Sequence, residues 1–476
     1  MSISAKTTDV PADTAVETIR PITSLRDWLD HLAARGRLAV ARPGVSLRFE
    51  LAAIAKRLDG RKATLFPRPG GHPVPVVSGL VSDRSWMAEA MGATPSQVLR
   101  RFEDAALHPT PWREVKAAPV QEAVHREFDL GTLLPIPTHN EHDGGPYITA
   151  GLVIARNPRT GIQNVAIHRL QLTGPDRLGA LLLPRHTLSF QRMAEEGGRD
   201  LPVAVVIGAD PLTLLASQAI APLDQDELEI SGALHGRPLD VVKCLTSEVR
   251  VPAHAEIVLE GRLLAKVREP EGPFGEFPQY YGERAERHVV VVDAVTHRAE
   301  PLFHTIVGGG LEHLLLGGIP REATLLAHLQ RSFPGVRDVH LSRGGVCRYH
   351  LYVQMKKRSE GEAKNVILGA FAGHYDVKHV VVVDEDVDIH DPAEVEWAIA
   401  TRAQADRDLV IVAHAQGSKL DPSARDGVSA KMGIDATVPL DAPEFRFKRI
   451  RVPGEESVDL DAVLQPDGDW RRRLSG

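Results

Sequence analysis

Apolar residues in the first part of the chain recur at helical spacing and then in strand-length runs. Leu25, Trp28 and Leu32 share one face of a predicted helix, and the short apolar runs that follow predict strands. The pattern predicts an N-terminal α/β domain at residues 22–115. The preceding residues 1–21 are polar and poor in large apolar side chains, which indicates a flexible leader.

Strand patterns dominate residues 116–315, with helices set between them, which is typical of a β-rich sheet or barrel domain. Helical and strand patterns then alternate regularly through residues 316–452, beginning with a helix predicted at Glu322–Gln330. Such alternation indicates a layered α/β domain. The tail at 453–476 is acidic and then basic. The predicted fold class is therefore mixed α/β (α+β).

Composition narrows the classes of function. The 476 residues are 43% hydrophobic and 25% charged, as in ordinary globular proteins. A net charge of −7 and a pI near 6.3 argue against a nucleic-acid partner, which normally requires a basic face. We find neither a membrane-span-sized apolar run nor a secretory signal, and therefore expect a cytoplasmic protein. Cys244 and Cys347 lie beside apolar strand patterns and are expected to be buried, reduced thiols.

The strongest candidate for chemistry is the segment Glu271–Gly282, EGPFGEFPQYYG, which we call the carboxylate loop. Glycine and proline residues between Glu271 and Glu276 exclude a helix, and strand patterns lie on both sides. We interpret the segment as a rigid loop that directs two carboxylates into one space. Carboxylates held close together tend to raise one pKa, which gives an acid and a base in one site. The alternative is a tight turn with two solvated glutamates.

Polar residues of the middle region form a second candidate site. Asn164, His186 and Glu227 offer an amide oxygen, an imidazole and a carboxylate, which together suit Mn²⁺ or Mg²⁺, although each also fits a structural role. Arg169 lies among apolar strand residues, where arginine usually pairs with a carboxylate of the protein or of a substrate. By alternation Arg169 faces opposite to Asn164 unless the strand bulges or ends between them. Lys364, at a helix start, faces either a phosphate or solvent.

Two other motifs are weaker. His139, His142 and Asp143 fit no zinc spacing and are expected to pack or to form hydrogen bonds. The triple glycine Gly308–Gly310 lacks the strand–GxGxxG–helix frame of a dinucleotide-binding fold, so we do not predict one.

A series of segments resembles the UbiD family of reversible, prenylated-flavin-dependent decarboxylases. In the middle region these segments read LLPIPTHNEHDGGPYITAGLVIARNP, NVAIHRLQ, LPVAVVIGADP, ELEISGALHGRPLDVVKC and EGPFGEFPQYYG. Further on they read LEHLLLGGIP, KKRSEGEAKN and GIDATVP. Each segment alone is a weak signal, but the resemblance runs in the right order from about residue 22 to residue 450.

The resemblance implies a fold and a cofactor. The fold would be an N-terminal α/β domain, a central split β-barrel that binds the flavin, and a C-terminal α/β domain that mediates dimer formation, in some members within a hexamer. The cofactor would be prenylated FMN (prFMN), supplied by a flavin prenyltransferase, with Mn²⁺ or Mg²⁺ and K⁺ beside it. In the family, a covalent adduct between substrate and prFMN accepts the electrons that departing CO2 leaves behind.

The resemblance also implies roles for individual residues. Arg169 resembles the arginine that orients the substrate carboxylate, Glu271 its partner, and Glu276 the acid that supplies the proton. The other implied contacts are with the cofactor and its metal: Asn164, His186 and Glu227 as metal ligands, with Glu229 as a competitor of Glu227; Ile167, His168 and Arg169 beside the flavin; and Lys364 at the phosphate.

These observations favour decarboxylation of an aromatic or heteroaromatic acid of indole, pyrrole, phenazine or hydroxybenzoate type. Gly308–Gly310, Gly317 and Gly318 predict a small apolar pocket wall with room for a flat ring. One alternative is a decarboxylase of α,β-unsaturated, cinnamic-type acids. Alternatives from other classes are a flavin oxidoreductase that uses unmodified FMN and a non-catalytic subunit of a carboxylase complex. Retention of the arginine and both glutamates argues against these two.

Overall fold

The computed structural model describes residues 21–443 and 445–464. The predicted leader lies outside the described residues except for Pro21, and so does the predicted tail beyond residue 464. No helix within these ranges is both long enough and apolar enough to cross a membrane. Cys244 and Cys347 are buried and unpaired, as expected.

The N-terminal region packs helices against short strands. Its elements are α1 (Leu25–Ala34), β1 (Leu38–Val40), α2 (Glu50–Leu58), β2 (Ala63–Phe66), β3 (Val76–Ser78), α3 (Arg84–Ala90) and α4 (Val98–Leu107). Helix α1 forms as predicted because Leu25, Trp28 and Leu32 are fully buried on one face. Its N-terminus is capped by Ser24, whose hydroxyl oxygen accepts a hydrogen bond from the Asp27 N–H at 3.3 Å.

The central region is mostly strand. Its elements are β4 (Arg113–Glu114), β5 (Ala123–His125), α5 (Leu130–Leu133), β6 (Tyr147–Ile148), β7 (Leu152–Arg156), β8 (Gln163–Ile167), β9 (Leu170–Leu172), β10 (Arg177–Ala180), α6 (His186–Glu196), β11 (Leu201–Ile207), α7 (Pro211–Ala216), α8 (Glu227–His235), β12 (Asp240–Lys243), β13 (Arg250–Pro252), β14 (Ile257–Glu271), β15 (Phe274–Gly275), β16 (Tyr281–Gly282), β17 (Ala285–His297) and β18 (Phe303–His304).

Nine of these strands form one sheet, in the order β6-β9-β10-β17-β14-β11-β7-β8, with β5 beside β17. The long antiparallel pair of β14 and β17 lies near its centre, and β15 and β16 form a small hairpin in the connection between them. The sheet curls into a half barrel, which confirms the predicted class of fold. Strand β18 leaves this region and completes the N-terminal sheet, whose order is β1-β2-β3-β18.

The C-terminal region is a layered α/β unit. Its elements are α9 (Leu311–Ser332), β19 (Val336–Leu341), β20 (His350–Met355), α10 (Glu362–Gly373), β21 (His379–Asp384), α11 (Pro392–Arg402), β22 (Leu409–Gln416), β23 (Val428–Ala436) and α12 (Leu460–Val463). The sheet order is β19-β20-β21-β23-β22, with β20, β21 and β23 parallel and the two edge strands antiparallel to them.

Helix α9 is longer than the sequence predicts. It begins at Leu311 and passes through Pro320, whereas the predicted helix began only at Glu322. Proline removes a backbone donor, but α9 buries apolar side chains on both sides of it, including Leu316 and Leu325, and this burial outweighs the local cost. The result is one continuous helix of 22 residues.

Candidate active site

The carboxylate loop is anchored by the two longest strands of the central sheet. β14 ends at Glu271 and β17 begins at Ala285, so both ends of the loop are fixed. At Gly272 the backbone has a φ of +101°, and an added Cβ atom would lie 3.0 Å from the Glu283 carbonyl oxygen. Glycine is therefore required at the turn that follows Glu271.

Arg169 joins the two carboxylates of the loop. One terminal guanidinium nitrogen donates to Oε1 of Glu276, and the other donates to Oε2 of Glu271 at 2.8 Å. The three side chains are at most 10% exposed. Arg169 reaches the loop because β8 ends at Ile167, so the alternation that would turn it away stops before it.

The two carboxylates differ in their surroundings. Burial raises the pKa of Glu276, although the neighbouring Arg169 charge opposes the shift. Glu271 receives an additional hydrogen bond, from the Tyr147 hydroxyl to Oε1 at 3.0 Å. Hydrogen bonds to an ionised oxygen are stronger than neutral ones and stabilise the carboxylate. The pair thus combines a candidate proton donor, Glu276, with a partner, Glu271, that is held by two hydrogen bonds.

Gln171, in strand β9 of the central sheet, connects the loop to Gly144 by two hydrogen bonds. Its amide oxygen accepts from the Gly272 N–H at 2.9 Å, and its amide nitrogen donates to the Gly144 carbonyl at 2.8 Å. Asp143 adds a second hold by accepting from the Gly275 N–H at 2.8 Å. Sequence reasoning missed Gln171, because a glutamine in a strand pattern gives no signal of such a role.

The histidine-rich motif takes part in packing, as expected. His139 is buried with Nε2 2.7 Å from the Thr305 hydroxyl oxygen, and burial lowers its pKa to about 4, so the ring is neutral. His142 is exposed and packs against the Tyr281 ring. Across residues 21–443 and 445–464, no three His, Cys, Asp or Glu side chains are grouped for a metal ion.

The three predicted metal ligands nevertheless lie close together, and one of them, Asn164, is an amide and not a His, Cys, Asp or Glu side chain. One terminal atom of the Asn164 amide lies 3.1 Å from Nδ1 of His186 and 3.3 Å from Oε1 of Glu227. His186 and Glu227 are the first residues of α6 and α8, and Asn164 lies in β8. Burial raises the pKa of Glu227 well above its usual value. A bound cation would restore the charge of this carboxylate, so the donor set fits a divalent ion.

The competitor Glu229 lies elsewhere. It is half-buried and lines a surface cavity together with Trp112 and Arg250. The structure therefore groups Glu227, and not Glu229, with Asn164.

Ile167 and His168 connect the metal cluster to Arg169 along the chain. Ile167 ends β8 and packs against the core. His168 has Nε2 3.2 Å from the Thr187 hydroxyl oxygen and Nδ1 3.2 Å from the Leu181 carbonyl oxygen, and burial lowers its pKa to about 4. One strand end thus positions residues of both candidate sites.

The structure does not bring Lys364 together with these residues. Its ammonium group donates to the Arg407 carbonyl in the C-terminal region. Lys431 is buried instead: its ammonium group donates to the carbonyls of Tyr375 and Val377 at 2.8 and 2.6 Å, and burial lowers its pKa to about 8. Sequence reasoning passed over Lys431, since nothing in a strand pattern marks one lysine as buried.

Sequence reasoning also missed three basic side chains, His313, Arg321 and Arg348. Burial lowers the pKa of His313 to about 3, so its ring is neutral. The His313 ring centroid lies 6.2 Å from that of Phe277, the residue after Glu276, and the Arg348 guanidinium lies 5.2 Å from the same ring. The spacing of His313 and Arg321 in LEHLLLGGIPRE, eight residues apart in a helix, was the available signal.

The predicted apolar pocket wall is wrong at two of its glycines. A Cβ atom at Gly317 would lie 1.7 Å from Nη2 of Arg348 and 2.9 Å from Nη1 of Arg321. A Cβ atom at Gly308 would lie 2.4 Å from the Gly275 carbonyl oxygen. These glycines admit guanidinium groups and backbone, and do not leave open space for a ring.

Comparison with known proteins places this site in a family. The N-terminal, Rift-related and C-terminal domains of 3-octaprenyl-4-hydroxybenzoate carboxy-lyase (UbiD) match residues 29–106, 113–311 and 314–436. Anhydromevalonate phosphate decarboxylase of Methanothermobacter thermautotrophicus is 40% identical over 427 residues, which cover 90% of this chain and 99% of the relative.

Solved structures agree. The UbiD-class enzyme HmfF from Pelotomaculum thermopropionicum, in complex with FMN, matches with a TM-score of 0.91 at 54% identity over 93% of this chain and 100% of its own. Its evolved dimeric form, in complex with prFMN, matches at 0.87 with 50% identity and the same coverage. The 3,4-dihydroxybenzoic acid decarboxylase from Enterobacter cloacae gives 0.86 at 31% identity, over 96% and 100%. The two HmfF structures hold a flavin, and this chain belongs to the same family, the UbiD family of decarboxylases.

Proposed function

We propose that the protein decarboxylates an aromatic or heteroaromatic acid with prFMN as cofactor, and that Glu276 supplies the proton that replaces CO2. The Arg169 fork between Glu276 and Glu271 is the observation that carries this proposal. When bound, prFMN supplies the electron sink that the breaking carbon–carbon bond requires. The overall reaction converts a carboxylate and a proton into a C–H bond and CO2.

Arg169 is suited to orient the carboxylate that is lost. Its Nε–H is buried and has no hydrogen-bond partner among the described residues, which leaves one donor for a substrate oxygen. The Phe274 ring lies 5.2 Å from the guanidinium carbon and restricts access of water. Glu271 accepts from the guanidinium and is itself held by a hydrogen bond from the Tyr147 hydroxyl.

Glu276 is suited to deliver the proton. Burial raises its pKa, which favours the protonated form that a proton donor needs, and the same burial limits exchange with water. After the transfer, the neighbouring Arg169 stabilises the resulting carboxylate.

We propose that Asn164, His186 and Glu227 hold Mn²⁺ or Mg²⁺ against the cofactor phosphate, with Ile167, His168 and Arg169 beside the flavin. For the lysine at the phosphate, Lys431 is better placed than Lys364. The Tyr375 carbonyl accepts from Lys431, and the Tyr375 hydroxyl lies 3.5 Å from Nη2 of Arg185, which directly precedes His186. We also propose that K⁺ accompanies the cofactor, that a flavin prenyltransferase supplies the cofactor, and that the protein forms a homodimer or a hexamer.

A second candidate substrate is a phosphorylated acid of the non-aromatic class. The observation that favours it is the 40% identity with anhydromevalonate phosphate decarboxylase over 90% of this chain. This candidate resembles the cinnamic-type alternative, because in both acids the carboxylate that is lost is not attached to an aromatic ring.

The test is CO2 release by protein co-produced with a flavin prenyltransferase, beside protein made without it. The panel contains indole-, pyrrole- and phenazine-carboxylic acids, hydroxybenzoic acids and cinnamic acids, together with anhydromevalonate phosphate. We expect release from a ring acid, only in the co-produced sample. Turnover of the phosphorylated acid alone would favour the second candidate. Bound prFMN with no release from any acid would contradict the proposal.

A further inference from the structure

We propose that the N-terminal region positions the proton donor through two side chains at the end of α2, Lys56 and Asp59. These side chains hold the turn Val307–Gly310, which we call the triple-glycine turn, against the carboxylate loop. The inference rests on the proposed function, because it adds positioning residues for Glu276. Each of the two acts through the backbone of the turn and not on the substrate.

The triple-glycine turn packs directly against the carboxylate loop. A Cβ atom at Gly308 would lie 2.4 Å from the Gly275 carbonyl oxygen. At Gly309, where φ is +64°, a Cβ atom would lie 2.9 Å from Cγ of Gln279 and 3.7 Å from the Glu276 carbonyl oxygen. The backbone of the turn therefore meets the loop on both sides of the proton donor, with no room for a side chain between them.

Two side chains of the N-terminal region bond the turn. The Lys56 ammonium group donates to the Gly309 carbonyl oxygen at 2.7 Å, a hydrogen bond strengthened by its charge. Oδ2 of Asp59 accepts from the Leu311 N–H at 2.8 Å. Leu311 begins α9, and its N-cap residue, Gly310, has no side chain that could cap the helix. Asp59 therefore serves as the cap from another element.

The chain that enters the turn also belongs to the N-terminal sheet. β18 pairs with β3 in parallel, and directly after β18 the Thr305 N–H donates to the Val77 carbonyl at 3.0 Å. The turn closes on itself, with the Gly310 N–H donating to the Val307 carbonyl at 3.0 Å. The N-terminal region thus fixes both ends of the turn, while the middle of the turn presses on the carboxylate loop.

The second half of the carboxylate loop depends on this contact. Gln171 and Asp143 hold the first half, whereas the second half closes on itself. The Glu276 N–H donates to the Tyr280 carbonyl at 2.9 Å, and the Gln279 N–H donates to the Glu276 carbonyl at 3.0 Å. Gln279 has a φ of +67°, which is unfavourable for a residue with a side chain and persists only where the surroundings hold it. The triple-glycine turn supplies those surroundings.

The competing role is purely structural, in which Lys56 and Asp59 serve only to start α9. Their loss would then lower the unfolding free energy and leave the carboxylate loop and kcat unchanged. The contact of the turn with the backbone of Glu276 favours the positioning role.

The test variant is Lys56→Met, which removes the donor at a partly exposed side chain and keeps its apolar stem. Lys62→Met, which alters an exposed lysine of the same region, is the matched control. Amide hydrogen exchange of the holoenzyme, followed by mass spectrometry, requires no turnover. We expect exchange in the peptide spanning residues 271–282 to be at least about fivefold faster in Lys56→Met and unchanged in the control. Equal exchange in the two variants would overturn the inference.

Steady-state kinetics with the acid that is released fastest separate positioning from binding. In Lys56→Met we expect kcat to fall at least about tenfold and KM to change less than about twofold, because a displaced proton donor slows the chemical step without weakening substrate binding. Lys56→Arg keeps a cationic donor and should retain most of the wild-type kcat. An unchanged kcat, or a rise in KM alone, would overturn the inference. So would loss of flavin absorbance from Lys56→Met, since the turn would then serve the cofactor.

Two further arms cover the remaining outcomes. If Lys56→Met does not fold, Asp59→Ala is measured in its place, with the same expected changes in exchange and kcat. If the wild-type holoenzyme releases CO2 from no acid, the proposed function fails. Hydrogen exchange then still decides whether the N-terminal region holds the carboxylate loop, and equal exchange in variant and control would overturn that claim.

Discussion

Arg169 has two carboxylate neighbours with different donors around them. Glu271 is fully buried and takes hydrogen bonds from Arg169 and from Tyr147, whereas Glu276 takes its hydrogen bonds from Arg169 and from the Phe277 backbone. Burial raises the pKa of Glu276 and so favours its protonated form. The asymmetry gives each glutamate a separate task.

Replacement of Glu276 should stop the reaction without loss of the bound flavin. We expect Glu276→Gln to lower CO2 release by at least about a hundredfold, since general acid catalysis is worth about 10²–10⁴ in rate. Flavin absorbance of the purified variant should match that of wild type, because glutamine keeps the volume and a hydrogen bond to Arg169. Release at a rate near that of wild type would show that another group supplies the proton.

The raised pKa of Glu276 also predicts a pH dependence. Because the protonated form is the active one, kcat should be highest below the raised pKa and should fall as pH rises through it. The measurement is kcat for CO2 release at saturating substrate, from about pH 4, near the ordinary carboxyl pKa, up to about pH 9. A rate that rises throughout this range would contradict the assignment.

The metal cluster offers a matched pair of variants. Glu227→Ala should lose bound metal and prFMN together, because it removes the carboxylate of the cluster. Glu229→Ala, two residues further along α8, should retain both, since its side chain faces a different cavity. Metal analysis and flavin absorbance provide the measurement, and full retention in Glu227→Ala would refute this ligand assignment.

At the scale of elements, the carboxylate loop depends on its contact with β9. Gln171→Leu would leave the Gly272 N–H and the Gly144 carbonyl without their partner, at a cost of about 2 kcal/mol or more in unfolding free energy. We also expect a drop in kcat, because the loop carries both glutamates. Denaturant unfolding and CO2 release test this, with the exposed Gln404→Leu as control. If Gln171→Leu were as stable and as active as the control, Gln171 would not be needed to hold the carboxylate loop.

The sequence predicted the elements where local pattern and final environment agree. Helix α1 and the strands around the carboxylate loop follow their apolar spacing. The sequence pattern did not predict the start of α9. Pro320 locally predicts a helix end, but burial of apolar side chains on both sides of it against other parts of the chain keeps the helix continuous. The same limit explains the site. Family motifs identified Arg169 and Glu276, but the burial of Arg348 depends on packing that no local pattern contains.

At the scale of the molecule, α9 connects the N-terminal and C-terminal regions. Near its start, Glu312 accepts from the N–H groups of Gly79 and Leu80 at 2.7 and 2.8 Å. Ten residues further on, past Pro320, Glu322 pairs with Arg84 of α3 and lies 2.9 Å from Nδ1 of His340 in β19. Hydrogen bonds and ion pairs thus connect α9 to both the N-terminal and the C-terminal region.

Glu322 should contribute strongly to stability. Burial alone would raise its pKa, but Arg84 and His340 lower it to about 2. This stability is present above the ordinary carboxyl pKa and is lost as pH falls from about 4.5 towards 2, a contribution of about 3 kcal/mol.

We expect Glu322→Gln to cost about 3–5 kcal/mol at pH 7, because it leaves Arg84 buried without a counter-charge. Glu385→Gln, which breaks the exposed pair with Arg337, should cost less than about 1 kcal/mol. Equal unfolding free energies for the two variants would contradict this account.

The geometry of α9 bears on how such enzymes diversify. The groups assigned to bond breaking, Arg169 and Glu276, belong to the central sheet and its loop, whereas the face of α9 that meets Phe277 belongs to another element. Exchanges on that face of α9 can therefore leave Arg169 and both of its carboxylate partners in place. Mutational libraries confined to that face should retain the chemical step.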